Sequence, residues 1–234
     1  MNDKNYYLLV LLWILFASIQ SGCHPTSGDD NHINEPSGEL MPLQVGNWWE
    51  YQIIKPQWAN PIQDTVRNQI VKIISVSTDE QNYTVFGHNF VPFSDNSPEY
   101  YWLIRNGQNG LYQMGGIAET DSLILNNLEY PYPGEIGDSI LIPQLSFSRE
   151  NLNFYFSDSL HITLIDKKRE VITPVGLFNC YVYHFSLSAG DDVLYGFDYF
   201  LYFSPGLGLV KQEERRETDQ SIITELLLID YEIK

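Results

Sequence analysis

The chain has 234 residues, 44% of them hydrophobic and 14% aromatic, which is enough apolar material for a buried core and too much for a disordered chain. Its formal charge is −17. A field of that sign repels phosphate backbones and anionic headgroups, so it argues against nucleic acid and against electrostatic attachment to a membrane.

The first element is an apolar run from Tyr6 to about Gln20, "YYLLVLLWILFASIQ". A bilayer-spanning helix needs about 20 such residues, whereas the apolar part of a signal peptide needs about 7–15, so length favours export. Ser21-Gly22-Cys23 then resembles the lipobox of bacterial lipoproteins, with Gln20 standing where that pattern prefers an aliphatic residue. The resemblance implies a signal peptide over residues 1–22, cleavage before Cys23, and acyl chains on its thiol and new amino terminus. An uncleaved signal anchor and a secreted form with a Cys23–Cys180 disulfide are the alternatives. Cleavage would remove Asp3 and Lys4 together and leave the acidic excess intact.

Residues 23–39 follow as the lipidated cysteine and a tether. "HPTSGDDNHINEPSGE" carries Pro, Gly, Ser, Asn and acid with Ile33 as its one aliphatic. It cannot build a core, and as a flexible chain it reaches roughly 20–25 Å. In lipoproteins of bacteria with two membranes, Asp after the cysteine commonly signals inner-membrane retention. His24 in that place points to the outer membrane, and Asp29-Asp30 resembles surface-export tethers of some lineages.

From residue 40 to 234 the pattern is one β-rich body. Short runs of Val, Ile, Tyr, Phe and Thr alternate with Gly, Asn, Asp and Pro, which predicts antiparallel β structure with little helix. Strands are expected near 47–54, 66–77, 81–87, 99–105, 109–114, 121–125, 138–142, 152–156, 159–166, 169–173, 178–187, 193–204, 207–215 and 221–233. "RNGQNGLYQ" holds Asn106-Gly107 and Asn109-Gly110, a hairpin signal. In "SPGLGL", Gly206 is placed to take positive φ. "DKKRE", from Asp166 to Glu170, reads as a charged, solvated tip between two strands. "PLQVGN" (Pro42–Asn47) and "PGEIGD" (Pro133–Asp138) echo one another, each leading into a strand; this marks either two similar halves or a recurrent turn.

Alternation in "CYVYHFSL" puts Tyr181, Tyr183 and Phe185 on one face and Cys180, Val182 and His184 on the other. In "FDYFLYF", Phe197, Tyr199, Leu201 and Phe203 oppose Asp198, Phe200 and Tyr202. With apolar residues on both faces, the sheet must be covered twice. The expected fold is therefore all-β, an antiparallel, strongly curved sheet, half-barrel or sandwich. Its interior is either a filled core or a cavity for an apolar ligand.

Several segments resemble a group of uncharacterised bacterial envelope lipoproteins. "MPLQVGNWWEYQ" (41–52) is similar to their opening strand, "TPVGLFNCYVYHF" (173–185) to their middle, "YFSPGLGLVKQEE" (202–214) to a late turn, and "LLLIDYEIK" to their last strand. The resemblance implies an architecture like that of periplasmic lipid-handling proteins with a curved sheet. It implies no activity.

The search for chemistry is mostly negative. No nucleophile elbow, zincin helix, phosphate loop or paired C-x-x-C is present, and no cofactor or metal site is assigned. His24 and His32 lie on the tether and His88 near a loop, while His161 and His184 would approach only if their strands were neighbours. Cys180 reads as a small buried hydrophobe. Glu50, Glu99, Glu119 and Asp198 are available for a glycosidase-like pair, which requires a cleft. Asp191 and Asp192 read as a polar hairpin tip. Consecutive Trp48 and Trp49 face opposite ways and, with Trp58 and Trp102, read as structural tryptophans of a β core, with a platform for a glycan or peptide as the alternative. The expectation is a non-enzymatic envelope module, anchored through Cys23, that binds an apolar ligand, glycan or protein. A hydrolase of envelope polymers with a carboxylate pair is the alternative.

Overall fold

The structure is a computed structural model that describes residues 38–56, 64–78, 81–92, 100–118, 121–148, 151, 153–188 and 197–234. The signal peptide, Cys23 and nearly all of the tether lie outside them, as do Trp58, Glu99, Glu119, Asp191 and Asp192.

The described chain is all-β. Its strands are β1 (Trp48–Ile54), β2 (Asp64–Thr78), β3 (Gln81–Pro92), β4 (Tyr100–Gly107), β5 (Gly110–Ala118), β6 (Ser122–Pro131), β7 (Ser139–Ser148), β8 (Asn153–Thr173), β9 (Gly176–Ser188), β10 (Phe197–Ser204), β11 (Gly208–Arg216) and β12 (Ile222–Glu232). They form one 12-stranded sheet in the order β6-β5-β4-β3-β2-β1-β12-β11-β10-β9-β8-β7, with every pairing antiparallel. The sheet is thus two consecutive meanders, β1–β6 and β7–β12, joined where the first strand meets the last.

The echo between Pro42–Asn47 and Pro133–Asp138 has a structural basis. Gly46 N–H donates to Ile70 O at 2.9 Å, and Ile70 N–H donates back to Asn47 O at 3.0 Å. In the second half, Gly137 N–H donates to Leu164 O at 2.8 Å, and Leu164 N–H returns to Asp138 O at 2.9 Å. Gly46 and Gly137 have φ of 93° and 98°, a region that side chains other than glycine's avoid. Each turn therefore sets the register of its half by the same hydrogen bonds.

The sheet is open, yet it curls until its halves face one another. Strands far apart in the order touch: Trp102 of β4 meets Phe154 of β8 at 5.4 Å between centroids, and Tyr130 of β6 meets Phe203 of β10 at 4.8 Å. Tyr183 of β9 donates its hydroxyl to Pro131 O at 2.7 Å, and Trp49 of β1 donates Nε1–H to Leu207 O at 2.9 Å. The main core gathers Trp49, Tyr51, Ile70, Tyr130, Tyr183 and Phe203 on the concave side. Alternation explains who enters: Tyr199, Leu201 and Phe203 of β10 point in, as do Tyr183 and Phe185 of β9. Covering of the concave face comes from curl within one sheet.

Two expectations need correction. "DKKRE" is no tip, because it lies inside β8, and the three short strands expected across 152–173 are one strand of 21 residues. Register shifts between Leu164 and Asp166 and between Asp166 and Arg169 take up the extra residues as bulges. Asp166 accepts the Lys168 N–H at 3.0 Å and holds the bulge in shape. The turn comes later, at Pro174-Val175, where Thr173 pairs with Gly176. The Gln108-Asn109 pair, rather than an Asn-Gly step, occupies the tip between β4 and β5, with Gly110 at φ 135°. Gly206, at φ 75°, takes the conformation expected of it.

Candidate functional site

Among the described residues no three His, Cys, Asp or Glu side chains gather to hold a metal. The histidines do not form a pair. β8 and β9 are neighbours, but His161 stands opposite Ser186 and is exposed, whereas His184 stands opposite Thr163. His184 Nε2 instead bonds Asp198 Oδ1 at 2.7 Å while its ring stacks on Phe200 at 4.9 Å. Asp198 also accepts Gln220 Nε2–H at 2.8 Å. Its pKa lies below the usual carboxylate value: burial opposes the shift, and the bonds from Gln220 and His184 outweigh it. This dyad has the first two members of a hydrolytic triad, but among the described residues no hydroxyl or thiol hydrogen-bonds the ring. Cys180 is fully buried, and burial pushes its thiol up to about 12, the opposite of what a nucleophile requires.

Trp48 and Trp49 do face opposite ways. Trp49 is enclosed in the core, and Trp102 is buried against Tyr100 and Phe154. Trp48 remains partly exposed, with the Arg67 guanidinium 4.1 Å over its ring and its Nε1–H on Glu232 Oε2 at 2.8 Å. Arg67 also pairs with Glu50 at 2.8 Å. Of the proposed platform, only Trp48 among the described tryptophans has an accessible face, and a cation already covers it.

On the convex face of β10–β12 lies a charged network. Glu213 accepts from Tyr202 Oη at 2.8 Å, from Lys211 Nζ at 2.8 Å and from Arg215 Nε at 2.9 Å. Lys211 also reaches Glu225 at 2.9 Å. Burial alone would raise the Glu213 pKa, but these donors bring it below the usual value. A carboxylate with both oxygens so engaged ties strands together and has no basicity left for catalysis.

The concave side holds a different group, which no local motif announces. Glu129 of β6 is fully buried and neither carboxylate oxygen has a hydrogen-bond partner. Burial raises its pKa to about 8. The neighbouring Tyr130 hydroxyl opposes that rise without overcoming it, although the two groups do not meet in full hydrogen-bond geometry. Gln113 of β5 stands opposite Asn127 of β6, and both ends of the Gln113 amide and the Asn127 Nδ2 are likewise buried without partners. Glu129, two residues on from Asn127, is the extra residue of a β5–β6 bulge, since Leu111 pairs with Tyr130 and Tyr112 with Leu128. A polar layer therefore interrupts the concave wall between the main core and the smaller cluster of Tyr100, Trp102, Leu145 and Phe154. The raised value shifts the Glu129 carboxyl toward its protonated form, which burial favours over the charged one.

The geometry defines an all-β protein built as one curled antiparallel sheet of two meanders, with saturated charge networks outside and one sealed carboxyl inside. No family model matches the chain, and no curated protein matches it. Two solved structures are similar to it. One is named a "putative lipoprotein" from Parabacteroides distasonis, with 11% identity, covering 83% of this chain and 99% of that one at a TM-score of 0.44. The other is named a "putative exported protein with YmcC-like fold" from Bacteroides fragilis, with 9% identity, the same coverages and a TM-score of 0.45. Likeness of that degree carries no argument about role.

Proposed function

We propose that the mature chain is a lipid-anchored protein of the cell envelope, held at the outer membrane through Cys23, whose β body is a non-enzymatic binding or assembly module. The observation that carries this reading is the order of segments: an apolar run too short to span, Ser21-Gly22-Cys23, a polar tether, then the β body from Leu40. Two acyl chains anchor a protein stably where one does not, so the body needs no electrostatic attraction despite a charge of −17. The concave side supports recognition from outside rather than carriage of an apolar ligand. Trp49, Tyr51, Tyr130, Tyr183 and Phe203 fill it with aromatic contacts of the chain's own. The saturated Glu213 and the dyad without a nucleophile support a binding role over hydrolysis.

The test is intact-mass analysis of protein extracted from bacterial membranes, beside Cys23→Ala. Expected is a chain beginning at Cys23 with the added mass of acyl groups, and a variant that keeps residues 1–22. A bare thiol at Cys23, or a wild-type chain that retains its first twenty-two residues, overturns the reading.

A further inference from the structure

The antiparallel order sorts the connections of the sheet between its two ends. Because all pairings are antiparallel, the β2–β3, β4–β5, β6–β7, β8–β9 and β10–β11 connections lie at one end, together with the start of β1 and the end of β12. The chain enters the body there. Gly206 N–H donates to Glu39 O at 3.1 Å, and Asn106 Nδ2–H donates to Met41 O at 3.1 Å. The first described residues are thus strapped across the β10–β11 and β4–β5 turns, and the tether starts from this end.

The same end exposes aliphatic side chains where turns ordinarily carry polar ones. Val45 and Ile136, at equivalent places in the two repeated turns, are 41% and 63% exposed. Ile172 and Leu177 face one another across the β8–β9 hairpin and are 80% and 58% exposed. Scattered single apolar residues need no explanation, but several at one end of a molecule do. Some of the charges beside them are paired, Lys167 with Glu135 at 3.1 Å and Arg169 with Asp166 at 3.0 Å, while Glu170, two residues before Ile172, is exposed. Lys168 has no carboxylate partner among the described residues, and its aliphatic stem can lie along apolar surface while its ammonium stays in water.

We infer that this end of the body is seated on the lipid surface that holds the anchor, with the Ile172–Leu177 tip of the β8–β9 hairpin dipping into the boundary between headgroups and acyl chains. The inference rests on the proposed anchoring at Cys23 and adds the orientation of the body to it. The tether begins at this end, so the acylated cysteine and the apolar tip lie within one short leash of each other. Acyl chains supply the anchor, and the tip adds a second contact with the same surface that fixes how the body is turned.

The test uses the full, lipidated chain in vesicles of phosphatidylethanolamine and phosphatidylglycerol, with Ile172→Cys carrying an environment-sensitive fluorophore and Tyr155→Cys, toward the opposite end of β8, as the control. Acylated Cys23 and buried Cys180 do not take the label. Flotation reads the anchor and the fluorophore reads the tip. Expected is a floated protein whose tip emission is blue-shifted and quenched by quencher-bearing lipids, while the Tyr155→Cys label stays water-like. Floated protein with a water-like tip overturns the orientation alone. So does a blue-shifted tip that lipid-borne quenchers leave untouched, since a protein partner then covers it. Protein that does not float overturns the anchoring and the orientation together.

Discussion

Glu129 in β6 and Glu213 in β11 are both withdrawn from water, one in each meander, and the sheet treats them in opposite ways. Glu213 lies on the convex face among Tyr202, Lys211 and Arg215, which lower its pKa. Glu129 lies on the concave face without a partner, and its pKa rises to about 8. The halves otherwise repeat. Gln113 stands opposite Ile104 in β4–β5, and Gln212 stands opposite Leu201 in β10–β11, all four buried. A shared backbone plan therefore leaves side-chain electrostatics free to diverge. Burial by itself does not set a carboxylate's charge; the donors around it do.

That contrast breaks most visibly with pH. Glu129 binds its proton more tightly in the folded state than in the unfolded one, where its value is near 4.5. Its contribution to stability is complete below that value, is lost as pH rises toward about 8, and then levels off. At about 1.4 kcal/mol per unit the total is roughly 5 kcal/mol. Urea midpoints followed between pH 5 and 8 should fall for the wild type, and Glu129→Gln should flatten the curve. A wild-type midpoint that does not move across this window contradicts the sealed, unpartnered carboxyl.

Glu213 gives the opposite sign. Its lowered pKa stabilises the fold above the unfolded value and is lost on acidification through the folded one. Removing it leaves Arg215 and the Tyr202 hydroxyl without their carboxylate and Lys211 with Glu225 alone, so Glu213→Ala should cost about 3 kcal/mol at pH 7 by urea denaturation. Near-neutrality of that variant would show that the network is dispensable.

Next in size is the pair of repeated turns. With φ of 93° and 98°, Gly46→Ala and Gly137→Ala should each cost about 1–2 kcal/mol. An added Cβ meets open space at Gly137 and only the flexible end of Lys234 at Gly46, so backbone strain dominates both. Melting temperatures that drop equally support the equivalence of the halves, and a clearly unequal pair weakens it. Smallest is Arg67→Ala, which loses the half-exposed Glu50 pair and the cover over Trp48. About 0.5–1 kcal/mol is expected in the same melts.

The turn chemistry could be read from residue types because it is local. Gly206 and the Pro-x-x-aliphatic-Gly-polar echo need only backbone conformations that glycine tolerates and others do not. "DKKRE" was misread because charge and missing alternation imitate a tip, whereas bulges let a strand carry both. Glu129 was missed for a different reason. In "NNLEYPYP" it is one acid among polar neighbours, and its burial depends on β8–β10 arriving over β4–β6 from the other half of the chain. The tip at Ile172 and Leu177 was hidden likewise, since exposure is decided by which residues no other strand covers.

Residue order alone determined the strand-forming periodicity, the antiparallel meanders implied by short turns, and the apolar run, cysteine and tether that precede them. These depend on interactions between residues close in the chain or on composition. Only the tertiary structure decided that one sheet curls over itself, that one acid is sealed while another is saturated, and that the aliphatic turns share an end with the first described residues. Each of those facts is a distance between segments far apart in sequence, and the pattern within a single strand contains no term for it.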